Sequence, residues 1–277
     1  MKQFTSLNSF ATVTPGATAT LGITPEGVYH QLRLYYTSGA GNTPATAATV
    51  AAEIDEIRVK INGKTQRRLT GAQLVMLNAL HDRVWNDGRV ILFFAEPWRL
   101  TAQAAELLAW GMVGVDRFEV EVDINAAAVN PKLTATALWS PENRPLGAIV
   151  KYHTVNIDVT ATGPKQVLDF PRENAYVGLH CLTTDINSAK VTVNKGIVLD
   201  DIDIADLHEY IDDHGLVPQA GWSHVMFDRE RRLSDPLPMA VQTGKNRAVK
   251  VAEFKVEFDM AAANPFEVLL ERVGPAD

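Results

Sequence analysis

The chain has 277 residues, 46% hydrophobic and 21% charged, with a net charge of −7. That length accommodates two domains of ordinary size, and the balance is that of a globular protein with large buried cores. No run of about 18 uncharged apolar residues occurs, which excludes a membrane-spanning helix, and only Lys2 and Glu26 are charged in the first 32 residues, so there is no basic arm for phosphate backbones.

The opening MKQFTSLNSF lacks a long apolar core and a cleavage-like site, so no secretory leader is expected. Strands follow over Thr18 to Ile23 and Tyr29 to Tyr36. Residues 38 to 52 are small and polar and predict a projecting loop that tolerates shortening. Ile57, Val59 and Ile61 then alternate with Arg58 and Lys60, and Asn62-Gly63 closes a tight hairpin. Thr70 and Gln73 form a capping-box pattern ahead of Leu74, Leu77 and Leu80, which share one helix face. A strand over Val90 to Ala95 and a helix over Thr101 to Trp110 come next. In Phe118 to Ile124, Phe118, Val120, Val122 and Ile124 face a core while Glu119, Glu121 and Asp123 face water. After a strand over Leu133 to Trp139, the Pro- and Gly-containing stretch Ser140 to Gly147 sets a domain boundary, giving domains over 1–143 and 144–277.

The second half repeats this plan. Ile57-Arg-Val-Lys-Ile-Asn-Gly63 matches Ala189-Lys-Val-Thr-Val-Asn-Lys-Gly196, 132 residues on. Val90 to Glu96 matches Trp222 to Asp228 at the same offset, and FEVEVDINAAAVNP from Phe118 matches FKVEFDMAAANP from Phe254 at 136. Tyr29 matches Tyr176 at 147, which places about 15 extra residues in the first copy, at 38–52. Landmarks recurring in order indicate two similar domains in tandem. Further strands are expected over Val150 to Thr160, Tyr176 to Thr183, Lys190 to Asn194, Trp222 to Phe227 and Phe266 to Val273. A helix from near Asp203 carries Ile204, Leu207 and Ile211, and the counterpart of the Thr101 helix, at Leu237 to Gln242, is short or absent. Short one-sided strands with turns between them point to antiparallel sandwiches.

Catalytic patterns fail. His208 and His214 are six apart, whereas a zinc helix needs a spacing of four to put both on one face. Asp200, Asp201 and Asp203 lack the glycine and closing glutamate of a calcium loop and are expected to supply a helix N-cap and first-turn charge. Gly39-Ala-Gly41 lacks the third glycine of a dinucleotide loop. Arg67-Arg68 and the Arg229 to Arg232 cluster are too short for a nucleic-acid site and are expected to be solvated or interface patches. The histidines are scattered, His180 being expected as a satisfied strand residue. The five tryptophans show no sugar platform, and Cys181, the only cysteine, sits in an apolar run as a buried thiol. With one cysteine, a reducing cytoplasm during synthesis fits. No enzymatic activity, cofactor or catalytic residue is expected.

Specific residues add a resemblance. Leu7-Asn8-Ser9, the Val59 to Gly63 hairpin, Phe93-Phe94-Ala95-Glu96-Pro97, Ala109 to Gly114, Val120 to Ile124 and Pro131 to Ala135 resemble the major capsid protein of corticoviruses, tailless icosahedral phages with an internal membrane. The resemblance covers most of residues 1 to 140; the second half follows through the repeat. It implies an all-β double jelly roll, two tandem eight-stranded sandwiches with short flanking helices, standing in a virion capsid after synthesis in the host cytoplasm. It further implies pseudo-hexagonal homotrimeric capsomers, minor capsid or vertex proteins between them, peripheral contact with the internal lipid membrane, and in some members structural calcium, with no ligands assignable here. The rival is a double jelly-roll carbohydrate-binding or glycan-processing protein, since the fold hosts both.

Overall fold

The computed structural model describes residues 1–232, 234–242 and 248–277. The chain divides into two compact units, Met1–Tyr152 with Pro275–Asp277, and His153–Gly274. The first therefore runs past the boundary expected at 143 and takes in the last three residues.

The first unit contains β1 (Gln3–Ser6), β2 (Thr18–Ile23), β3 (Val28–Ser38), β4 (Thr43–Pro44), α1 (Ala47–Glu53), β5 (Ile54–Ile61), β6 (Lys64–Leu69), α2 (Gly71–Leu80), β7 (Arg89–Phe93), α3 (Ala102–Leu107), β8 (Trp110–Gly111), β9 (Phe118–Ile124) and β10 (Lys132–Ser140), and β11 (Ala148–Ile157) begins in it. One sheet runs β1-β10-β3, with β4, β7 and β8 also paired to β3. The other runs β6-β5-β9-β2. The second unit contains β12 (Gly163–Val167), β13 (Ala175–Cys181), β14 (Ile186–Val193), β15 (Gly196–Asp203), α4 (Ile204–Asp213), β16 (Ser223–Met226), β17 (Ala240–Gln242), β18 (Ala248–Lys250), β19 (Phe254–Met260) and β20 (Phe266–Pro275). Its sheets run β16-β13-β20 and β15-β14-β19-β12, with β17 and β18 as a separate ribbon. In sheet plan, β6-β5-β9-β2 and β15-β14-β19-β12 are the same object built twice. Residues 237–242, the site of a short or absent helix, carry no helix and end in β17.

Alternation sets the register as the sequence requires. Phe118, Val120, Val122 and Ile124 are buried, as are Phe254, Val256, Phe258 and Met260. Each unit closes on an aromatic pair: Tyr29 meets Phe118 edge-on at 5.1 Å, and Tyr176 lies 4.9 Å from Phe254. Each tyrosine hydroxyl donates to a carbonyl five residues upstream, Tyr29 to Thr24 at 2.6 Å and Tyr176 to Pro171 at 2.7 Å. A buried hydroxyl without a partner would carry its full desolvation penalty, so these bonds fix the ring direction. Burial pushes the Tyr29 hydroxyl up to about 12.

The hairpins repeat too. Asn62 and Asn194 both adopt the left-handed conformation that a tight turn needs, at φ 49° and 47°. Each Oδ1 then accepts two backbone N–H groups from the segment entering the next core strand: Asp116 and Arg117 for Asn62, Ala252 and Glu253 for Asn194. The asparagine thus shapes the turn and ties it to the strand that carries Phe118 or Phe254.

The expected loop at 38–52 is a correction. It contains β4 and α1, with Thr46 accepting from the Thr49 amide as N-cap and Val50 fully buried. α1 packs on α2, where Gly71 is obligatory because a Cβ would meet the Val50 carbonyl at 2.3 Å. Small residues such as Ala45 and Val50 bury as readily as larger ones, so polarity averaged over the segment concealed a piece of core. The capping box of α2 forms as expected, Thr70 and Gln73 satisfying each other's amides.

Phe118→Ala and Phe254→Ala should each destabilise the fold by about 3–5 kcal/mol, the usual cost of truncating a buried aromatic. Denaturant unfolding monitored by circular dichroism measures it; a loss below about 1 kcal/mol at both positions would contradict this core assignment.

Candidate functional site

The polar groups singled out in the sequence are mostly committed to one another. On the outward face of β5 and β9, Arg58 bonds Glu56 at 2.5 Å, Glu121 at 2.8 Å and Asp123 at 2.6 Å, and Lys60 takes Glu121 at 2.5 Å. The Lys60 and Arg58 bonds hold the Glu121 carboxyl below the usual range. Two carboxylates preparing for acid–base chemistry need environments that separate their pKa values; these share cations instead and form a cross-strand ion network.

Arg67 corrects the expectation of a basic surface patch. It is buried, its guanidinium donating to the Val150 carbonyl at 2.8 Å and facing the rings of Phe94, Trp110 and Tyr152. Arg68 is exposed and pairs with Glu56. In the other cluster, Arg232 pairs with Glu230 and Arg229 lies over the Tyr210 ring. The acidic run is also placed differently from expectation. Asp200 accepts from Lys190 and Asp201 from Ser188, both within β15, and Asp203 occupies the N-cap position of α4 without a side-chain capping bond. Asp206 supplies the first-turn charge. Cys181 is fully buried, and burial pushes its thiol up.

The histidines show what sequence spacing missed. His180 on β13 faces His224 on β16 in the strand register. His224 Nδ1 lies 3.0 Å from His180 Nδ1, and His180 Nε2 lies 3.2 Å from Glu271 of β20; all three are buried. The Gln219 amide donates to His224 Nε2, so the His224 proton sits on Nδ1 and is given to His180, whose own proton on Nε2 goes to Glu271. The backbone amide of His224 donates to His208 Nε2 at 2.9 Å, pinning α4 to β16. His214 bonds the Tyr210 carbonyl instead. No signal in the sequence joins positions 180, 208, 224 and 271, because strand pairing brings 180, 224 and 271 together and the packing of α4 adds 208.

A groove of about 620 Å³ lies beside this cluster, lined by His208, Asn187, Gln219 and Trp222 among others. Trp98 and Trp110 are buried, Trp222 is mostly buried at the groove, and Trp85 and Trp139 are half-buried, so the five indoles are dispersed over the chain. Among the described residues no group of three or more His, Cys, Asp or Glu side chains is arranged to hold a metal ion. β1 and β15 each end a sheet, and Phe4, Ile197 and Val198 are exposed on them.

Comparison with known proteins gives a consistent answer. Residues 4–140 match the viral coat protein P2 N-terminal domain, and residues 149–276 the viral coat protein P2 C-terminal domain. The major capsid protein P2 of Pseudoalteromonas phage PM2 is 25% identical over 207 residues, 70% of this chain and 71% of that one. The crystal structure of the major capsid protein P2 from bacteriophage PM2 superposes with a TM-score of 0.87 at 20% identity, covering 100% of this chain and 98% of that one. A chain of Sulfolobus turreted icosahedral virus gives 0.70 at 11% identity, covering 98% and 90%. With these likenesses the all-β double jelly roll is established for the chain.

The His208 bond predicts a pH dependence. Burial holds its pKa below the ordinary 6.5, so as pH falls below about 6.5 the unfolded chain takes up the proton before the folded one. Stability present above that pH is therefore lost progressively below it. Thermal unfolding between about pH 7.5 and 5 should show a falling midpoint, with a shallower fall in His208→Asn. Identical slopes in the two proteins would show that His208 contributes nothing.

Proposed function

The chain belongs to the viral coat protein P2 family, and on that premise we propose that it builds the shell of a membrane-containing icosahedral phage from pseudo-hexagonal homotrimers. It is a corticovirus-type major capsid protein, and its place is the virion capsid. The observation that carries the trimer is the duplication. Each unit has its own core and the same order β2-β9-β5-β6 or β12-β19-β14-β15 in one sheet, so three chains supply six similar wedges. A closed threefold ring of such chains has approximate sixfold character, since the wedges differ in their flanking elements. The role is structural: the polar networks above hold strands together, and among the described residues no nucleophile, base and orienting group converge on a cleft.

Contacts with an internal membrane belong to this reading as peripheral ones, made by loops at one end of the sandwiches. Among the described residues no helix is long and apolar enough to cross a bilayer. Neighbouring capsomers and minor capsid or vertex proteins are the other partners, and nucleic acid is not a specific one, in keeping with the charge of −7.

Light scattering on the purified subunit should give three times the 30.3 kDa chain mass, since permanent assemblies typically bury roughly 2,000 Å² or more. A stable monomer at micromolar concentration would contradict the reading.

A further inference from the structure

We propose that the free edge of β15 receives strand β1 of a neighbouring copy of this chain, in parallel, with Thr5 of one copy opposite Leu199 of the other. The inference rests on the homotrimer reading and names the strands that join its chains.

The argument begins with two hairpins that match residue by residue. In the first unit Ile61 pairs Lys64, Lys60 pairs Thr65, and after a bulge Val59 pairs Arg67. In the second Val193 pairs Gly196, Thr192 pairs Ile197, and after the same bulge Val191 pairs Leu199. Every position is displaced by 132, so β15 corresponds to β6 and Leu199 to Arg67. Yet the outer edges of these strands differ. The β6 edge is occupied: β11 runs parallel to it with Tyr152 opposite Arg67. Among the described residues the corresponding edge of β15 ends its sheet.

The occupant follows from the same repeat. Ahead of the hairpins the displacement is 147, as Tyr29 and Tyr176 show with their acceptors Thr24 and Pro171. That displacement carries Thr5 of β1 onto Tyr152 of β11. β1 is held on one side by β10 and is the end of its own sheet. A strand of one copy and an edge of another are thus left over in the arrangement that β11 and β6 satisfy. With Thr5 opposite Leu199, Phe4 falls opposite Val198, and these side chains are 59% and 36% exposed. Ile197, 56% exposed, faces Gln3.

β15 also limits how far pairing runs. Asp201 stands at φ 55°, and the register with β14 slips between Ala189 and Val191. Bulges and charges at an edge are how sheets stop further strands from adding. Asp200 and the bulge at Asp201 leave a short open segment around Gly196 to Leu199, about the length of the four-residue β1. An exposed apolar edge of this kind invites one strand and blocks a sheet.

The test is a double variant, Phe4→Cys with Val198→Cys. Strands in register stand about 4.8 Å apart, within reach of a disulfide, and the native Cys181 is buried. Oxidised protein on a non-reducing denaturing gel should run as covalently closed trimer and return to single chains with reductant, while either single variant stays single. If light scattering gives a trimer but no cross-link forms, the proposal falls and the homotrimer stands. If the unmodified chain is a monomer, both fall. As a second measurement, removing Gln3–Ser6, all four exposed, should leave the circular dichroism unchanged and convert trimer to monomer at micromolar concentration. A trimer of undiminished mass after that deletion would overturn the proposal.

Discussion

The rest of the structure depends on one constraint, that a half-wet antiparallel strand must find an apolar partner layer. Phe118 under Tyr29 and Phe254 under Tyr176 are where that is met in each unit. Two further features of each sandwich hold those rings in place. The tyrosine hydroxyls are tied to carbonyls upstream, and the hairpin asparagines are tied to the segments entering β9 and β19. Local turn chemistry and long-range packing therefore point to the same register, which is the condition for a sequence to specify one structure.

Strand existence was legible because period two is a local signal. Thr18 to Ile23, Phe118 to Ile124 and Phe254 to Met260 have in the structure the bounds that alternation gives, or are fully contained in strands. The capping box at Thr70 was legible for the same reason. What the sequence concealed depends on pairing across long separations. Arg67 looked like half of a basic patch, but its partners are the Val150 and Phe93 carbonyls and three rings from elsewhere in the chain. His180, His224 and Glu271 meet only because β13 pairs with both β16 and β20. α1 was hidden by its composition, since an alanine-rich helix with Val50 as its one larger apolar residue has no amphipathic stripe to detect.

Function followed a similar division. The absence of a catalytic spacing was visible in the sequence, and the structure adds what the polar groups do instead: they knit strands, as in the Arg58 network, or fix a helix, as His208 does for α4. A shell protein needs rigid wedges and specific edges more than a reactive pocket. The two units meet the first need with separate aromatic cores. On the proposal above, the difference between the occupied edge of β6 and the open edge of β15 meets the second, because a duplicated fold that completes every edge internally has nothing left with which to recognise its copies.

Electron microscopy of the purified native assembly tests the central claim most directly. The account predicts a closed, tailless icosahedral shell whose capsomers have six lobes related by threefold symmetry, two lobes from each chain. Capsomers with one lobe per chain, or a protein that remains dispersed as single chains and forms no shell, would contradict it.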